Sequence, residues 1–158
     1  MSNTVEEAKA EFTRAKDRLA KALNTTADDK ANWSPCPAAR TPVEVVAHAA
    51  SSTVGIQGML EGKSVDGMNP VDMDRMSREA EKEFKSKDQA LAHLETTSTG
   101  YISFLDSLTP EQIASTVDTP FGSFPMAFAI TFPADHIRSH AAQIDYIQTA
   151  YGDREWHF

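Results

Sequence analysis

Four stretches of this chain bring apolar residues back at spacings of three and four, and no stretch alternates them at a spacing of two for long enough to make a credible strand. That periodicity puts the apolar residues on one stripe of a helix, and a helix with one apolar stripe must bury it against another element. Residues 4–24 carry Val5, Ala8, Phe12, Ala15, Leu19, Ala22 and Leu23 on such a stripe, with charges on the other side. Thr4 and Glu7 read as the capping box of this first helix. The second start is the clearest: Thr41 caps, Pro42 takes the first helical position, where no N–H is needed, and Glu44 closes the box. This helix runs to about Glu61 and stops at Gly62, with Val45, Ala49, Ser52, Ile56 and Met59 inward. Ser86 and Gln89 open a third helix that extends to about Leu108 on Ala90, Leu94, Thr97, Tyr101, Phe104, Leu105 and Leu108. The fourth covers roughly 125–150, ends near Gly152, and is expected to kink or unwind locally at Pro133.

Four amphipathic helices without strands predict an all-α four-helix bundle. A chain of 158 residues is long enough for one proper core and short for two, so residues 1–158 are read as a single domain. The connections refine this. In residues 25–40, Trp33 is positioned to anchor the loop, and Pro35 and Pro37 flank Cys36 and disfavour helix. Residues 63–85 are polar, contain Met68, Met73 and Met76, and leave room for a short surface helix over about 72–84. Antiparallel neighbours need only about 2–8 connecting residues. A crossover this long can run back along the bundle, which would make the second and third helices parallel. Between the third and fourth helices, Thr109-Pro110-Glu111-Gln112 suits one helical turn and Thr119-Pro120-Phe121-Gly122 a tight turn.

Charge narrows the function classes. The 15 basic and 23 acidic side chains leave a net charge of −8, which argues against a general nucleic-acid binder. No apolar run approaches the length of a membrane span, and the N-terminal residues do not resemble a signal peptide. Cys36 is the only cysteine, so neither an internal disulfide nor a cysteine-based metal cage is available. The expectation is a chain of the reducing cytoplasm.

The chemistry-bearing pattern is His136 and His140, four apart within the fourth helix. At that spacing two imidazoles share one face, about 5–6 Å apart at Cβ, close enough to reach one ion. Their face continues through Phe132, Gln143, Ile144 and Ile147, so they turn toward a core. On the second helix His48 lies beside the inner stripe, in line with Ser52 and Met59; His93 falls away from its own stripe and reads as a surface residue. Three neutral imidazoles can hold Zn²⁺, Ni²⁺ or Fe²⁺ and leave coordination positions open. A ferritin-like di-iron site is excluded, because it needs Glu-x-x-His on two helices and the chain has none.

Taken in order, Trp33-Ser34-Pro35, Arg40-Thr41-Pro42-Val43-Glu44-Val45-Val46-Ala47-His48, the Thr119-Pro120-Phe121-Gly122 turn, and Asp135-His136 through His140-Ala141-Ala142-Gln143-Ile144 resemble the DinB-like superfamily over nearly the whole chain. The resemblance implies an up-down-down-up bundle in which His48, His136 and His140 bind one divalent metal. It also implies a homodimer, and a small-molecule chemistry that in characterised members includes isomerases and S-transferases using mycothiol, bacillithiol or glutathione. Ligating histidines usually donate their second N–H to a neighbouring polar group, which makes Glu44, Asp135 and Gln143 the candidates for orienting ligands or moving protons.

Two functions follow. In one, the ion activates a water or a low-molecular-weight thiol toward an electrophilic small molecule, giving S-transferase, hydrolase or isomerase chemistry. In the other, the chain is a non-enzymatic dimeric bundle that binds a small molecule or a partner, with a structural or vestigial metal. Met68, Met73 and Met76 would then supply an adaptable apolar surface, or else simply fill gaps under the loop.

Overall fold

The computed structural model describes residues 2–63 and 69–157. Its long helices are α1 (Ser2–Thr25), α2 (Pro42–Leu60), α4 (Lys87–Ser107) and α7 (Phe132–Ala150). Shorter elements join them: α3 (Pro70–Glu81), α5 (Pro110–Ile113), strands β1 (Thr116–Thr119) and β2 (Gly122–Pro125), and α6 (Met126–Ala129). The molecule is a four-helix bundle built from α1, α2, α4 and α7.

Side-chain pairs fix the directions. Glu11 with Arg138, Arg18 with Asp145, and Gln148 Nε2 donating to the Ala22 carbonyl at 3.0 Å run α1 and α7 in the same sense. Lys9 with Asp106 and Lys16 with Glu95, at 2.6 and 2.9 Å, run α1 and α4 in opposite senses. Both α2 and α4 set out from the far end of α1: the Val43 N–H donates to the Ala31 carbonyl, and Lys87 reaches the Thr26 carbonyl and Asp28. The order is therefore up-down-down-up, and α3 lies in the long crossover between the two parallel helices.

Most of the core comes from the predicted stripes, joined by Val43, Val46 and Ile137 from outside them, while Ser52, Ile56 and Met59 are only partly buried. Phe12, Leu19, Leu23, Val43, Val45, Val46, Leu94, Tyr101, Leu105, Ile137 and Ile144 are fully buried. Phe12 and Tyr101 pack with ring centroids 4.8 Å apart, and burial of a side chain such as Phe12 is worth roughly 1.5–3 kcal/mol. Trp33 meets Tyr151 edge-on and holds the first connection to the bundle, while Cys36 is exposed. Local chemistry places the α2 start as expected: the Glu44 N–H donates to Thr41 Oγ1, the Thr41 N–H donates to Glu44 Oε2, and Gly62 ends the helix with φ +75°.

The fold departs from the sequence expectations in three places. First, α1 begins at Ser2, so Thr4 lies inside it rather than at its cap. Second, a small antiparallel hairpin does exist, with Val117 opposite Phe124 and Thr119 opposite Gly122. Its strands are four residues each, too short for an alternation to register, and Gly122 closes it at φ +129°. Third, the fourth helix is two helices. Pro133 has no N–H to offer the Ala129 carbonyl one turn back, and the next carbonyl, that of Ile130, accepts the Tyr101 hydroxyl at 2.6 Å. The chain breaks at Ile130–Thr131, and Pro133 sits in the first turn of α7, where a missing N–H costs nothing. Of the two expectations for the methionines, Met73 and Met76 on α3 fit exposed surface rather than gap-filling; Met68 lies outside the described residues. Among the described residues no helix is long and apolar enough to cross a membrane.

Candidate metal centre

His48 occupies the second turn of α2, at the edge of a face made continuous by Val45, Val46, Ala49 and Ala50. His136 and His140 lie on successive turns at the start of α7, next to the buried Pro133, Ile137 and Ala141. The packing of α2 on α7 brings the three rings together. Their centroids are 4.4 Å apart for His136 and His140, 4.8 Å for His48 and His140, and 5.5 Å for His48 and His136. One ring nitrogen from each lies within 4.8 Å of the others. The Nε2 atoms of His136 and His140 are 3.0 Å apart. Two nitrogens bound to one ion at about 2.0–2.1 Å stand roughly 2.9–3.4 Å apart, so this pair has the spacing of neighbouring ligands.

The outer nitrogens are held in place. His48 Nδ1 is 2.7 Å from Glu81 Oε1 and 3.1 Å from Ser77 Oγ. The Ser77 hydroxyl donates to the same carboxylate oxygen at 2.6 Å. Arg40 completes the group, donating from Nε to Oε2 at 2.6 Å and from Nη2 to Oε1 at 3.1 Å. A carboxylate only accepts, so the His48 proton belongs on Nδ1 and its Nε2 lone pair is left for the centre. His140 is oriented alike: its Nδ1–H donates to Gln143 Oε1 at 2.8 Å. The Ser52 hydroxyl lies 3.4 Å from His48 Nε2, on the side facing the other imidazoles.

Electrostatics agree with that assignment. Burial lowers His136 to about 4, with further lowering from His140, His48 and Arg40. Burial also lowers His140, against an opposing hydrogen bond to Gln143. Both rings are neutral near pH 7, the form a metal binds. Burial pushes the Glu81 carboxyl up, but hydrogen bonds from His48, Arg40 and Ser77 outweigh it and leave it at about 2. A side chain only 3% exposed thus remains ionised because its charge is shared over three donors. The donor set is nitrogen-only and backed by polar partners, and it fits one divalent transition-metal ion.

Of the three flanking candidates, the fold brings one to the histidines. Gln143 reaches His140. Glu44 is spent on its cap, and it lines a cleft of about 350 Å³ with Arg40, Val71, Asp74, Arg78 and Glu81. Asp135 points outward at 63% exposure and pairs with Arg138 at 2.7 Å, because successive helix positions are turned about 100° apart and His136 takes the inward one. His93 is half-buried rather than a free surface residue: Nε2 is 2.9 Å from Ser51 Oγ, and the ring packs on Phe84. Sequence reasoning missed Glu81, Ser77 and Arg40. The only available signal was the i,i+4 spacing of Ser77 and Glu81, which Glu79 and Glu83 obscure by being equally plausible acids nearby.

Comparison with known proteins follows the same outline. Three solved structures share the fold. One is a conserved protein from Enterococcus faecalis, 16% identical with TM-score 0.69 over 94% of this chain and 97% of that one. A second is the sibling lethal factor precursor DfsB, 20% identical with TM-score 0.71 over 94% and 97%. The third is YfiT from Bacillus subtilis, described as "a probable metal-dependent hydrolase with an unusual four-helix bundle topology". It is 17% identical with TM-score 0.70 over 94% of this chain and 87% of its own. No curated protein is significantly similar in sequence. The sequence profile of the DinB superfamily matches residues 11–144, and the chain belongs to that superfamily.

Proposed function

We propose that this protein is a metal-dependent enzyme in which Nε2 of His48, His136 and His140 holds a single divalent ion, zinc or nickel, with iron as the alternative. The carrying observation is the convergence of three imidazole nitrogens from two helices within 4.8 Å. Such an ion supplies Lewis acidity and lowers the pKa of a water or thiol beside it. The residues around it hold the ligands in register: Glu81 and Gln143 keep the outer ring protons directed away, and the packing of α2 on α7 keeps bulk water off the inner face. The chemistry is transfer of a hydroxyl or a low-molecular-weight thiol to an electrophilic small molecule, as a hydrolase, S-transferase or isomerase. The name given to YfiT supports a metal-dependent activity for this architecture. The reading extends to a cytoplasmic homodimer.

Elemental analysis of untagged protein purified without chelator tests the centre. About one zinc or nickel per chain is expected, and a His136→Ala/His140→Ala variant should lose it. Absence of metal in the wild type, with no uptake of added Zn²⁺ or Ni²⁺, refutes the proposal.

A further inference from the structure

Phe132 stands one helical turn before His136 on α7, so the two side chains share a flank of that helix. Its ring meets Phe124 of β2 and Phe128 of α6 edge-on, each at 5.2 Å, and Phe124 and Phe128 are 6.3 Å apart. The three rings form one wall running from the turn before the histidines to the hairpin, whose tip carries Phe121. Phe124 and Phe132 have one edge packed on the core, whereas Phe128 is 53% exposed and Phe121 80% exposed. Phe124 comes from the hairpin, Phe128 from α6 and Phe132 from the first turn of α7, so the wall is assembled across the break at Ile130–Thr131.

Two of the polar neighbours of the same histidines are otherwise occupied, and the third, the Ser52 hydroxyl, makes one long contact of 3.4 Å to His48 Nε2. Glu81 is shared among His48, Ser77 and Arg40, and Gln143 is bonded to His140. Each would have to give up a partner to hold a polar substrate group, while an apolar group against the phenylalanines displaces only water. Building on the metal-dependent reading above, we propose that the substrate carries an apolar ring next to the atom that reacts at the ion, and that Phe128 and Phe132 select it.

The test uses the intact protein loaded with Co²⁺, titrated at fixed pH with benzyl mercaptan and with 2-mercaptoethanol, two thiols of similar acidity. Each releases its thiol proton to the buffer as its sulfur binds cobalt, and the near-ultraviolet sulfur-to-cobalt band reports binding. Wild-type protein should favour benzyl mercaptan by about tenfold or more. Phe128→Ala removes an exposed ring and should lose most of that preference with cobalt stoichiometry unchanged; Phe128→Ala/Phe132→Ala should abolish it. Equal affinity for the two thiols in cobalt-loaded wild type, or a preference that survives both substitutions, overturns the inference alone. A wild-type protein that takes up no cobalt, seen before any thiol is added, overturns the metal reading and this inference with it.

Discussion

Glu81→Ala is the sharpest perturbation of this architecture, because one carboxylate holds both a ligand and an element. Arg40, Ser77 and His48 all lose their acceptor, and Arg40, only 15% exposed, is left with Asp74 at 3.3 Å. Removing one partner of a buried ion pair costs about 3–5 kcal/mol, and the more exposed Asp74 recovers part of that, so about 3 kcal/mol is expected. Titration leads to a similar figure. The Glu81 carboxyl falls from 4.5 to about 2; that difference, at about 1.4 kcal/mol per pH unit, comes to roughly 3 kcal/mol. The sign follows from the lowered pKa: the unfolded chain binds the proton more readily. The stabilisation is therefore complete above about pH 4.5 and disappears as the pH falls toward 2. In a chain of this length the loss corresponds to a drop in Tm of roughly 6–12 °C. The assay is urea unfolding of wild type, Glu81→Gln and Glu81→Ala at neutral pH and at pH 3, with a chelator-competed Zn²⁺ titration alongside. Glu81→Ala should weaken zinc about 10–100-fold by freeing the His48 ring, and Glu81→Gln should fall between it and wild type. Stability within about 1 kcal/mol of wild type, together with unchanged zinc affinity, would show that the Glu81 cluster positions nothing.

Other substitutions separate scaffold from site. Thr41→Ala removes the α2 cap and should cost about 1 kcal/mol in urea unfolding while leaving zinc stoichiometry unchanged. Tyr101→Phe deletes the hydroxyl that satisfies the Ile130 carbonyl at the helix break; a loss of about 1–2 kcal/mol by thermal unfolding is expected, and none would mean that the break needs no such partner. Asp135→Ala should change stability by less than about 0.5 kcal/mol, since its ion pair with Arg138 is exposed. A fall in metal content in that variant would return Asp135 to the centre.

Burial of the exposed side chains on α3 cannot be what seats that helix. Val71, Met73 and Met76 all face water, and the contacts toward α2 and the preceding loop are polar: Ser77 and Glu81 to His48, Glu81 and Asp74 to Arg40, and Arg78 to the Ala38 carbonyl. The crossover and the metal centre therefore share the same hydrogen bonds.

The chain alone determined that there are four long helices and where α2 begins and ends, because each carries its own periodic stripe; the Thr41–Glu44 box and Gly62 required nothing from elsewhere in the molecule. It also determined that His136 and His140 share a face, since i,i+4 spacing is a property of any helix. Tertiary structure decided the rest. That His48 meets them depends on how α2 lies across α7, a relation between segments nearly ninety residues apart that no local pattern encodes. That Glu81 rather than Glu79 or Glu83 turns inward depends on where the crossover docks α3. The hairpin and the break at Ile130–Thr131 depend on partners supplied from a distance, Val117 opposite Phe124 and the Tyr101 hydroxyl on the Ile130 carbonyl. Periodicity is written one turn at a time and can be read that way, whereas a buried carboxylate shared by a loop arginine and a helix histidine exists only once the packing has brought all three together.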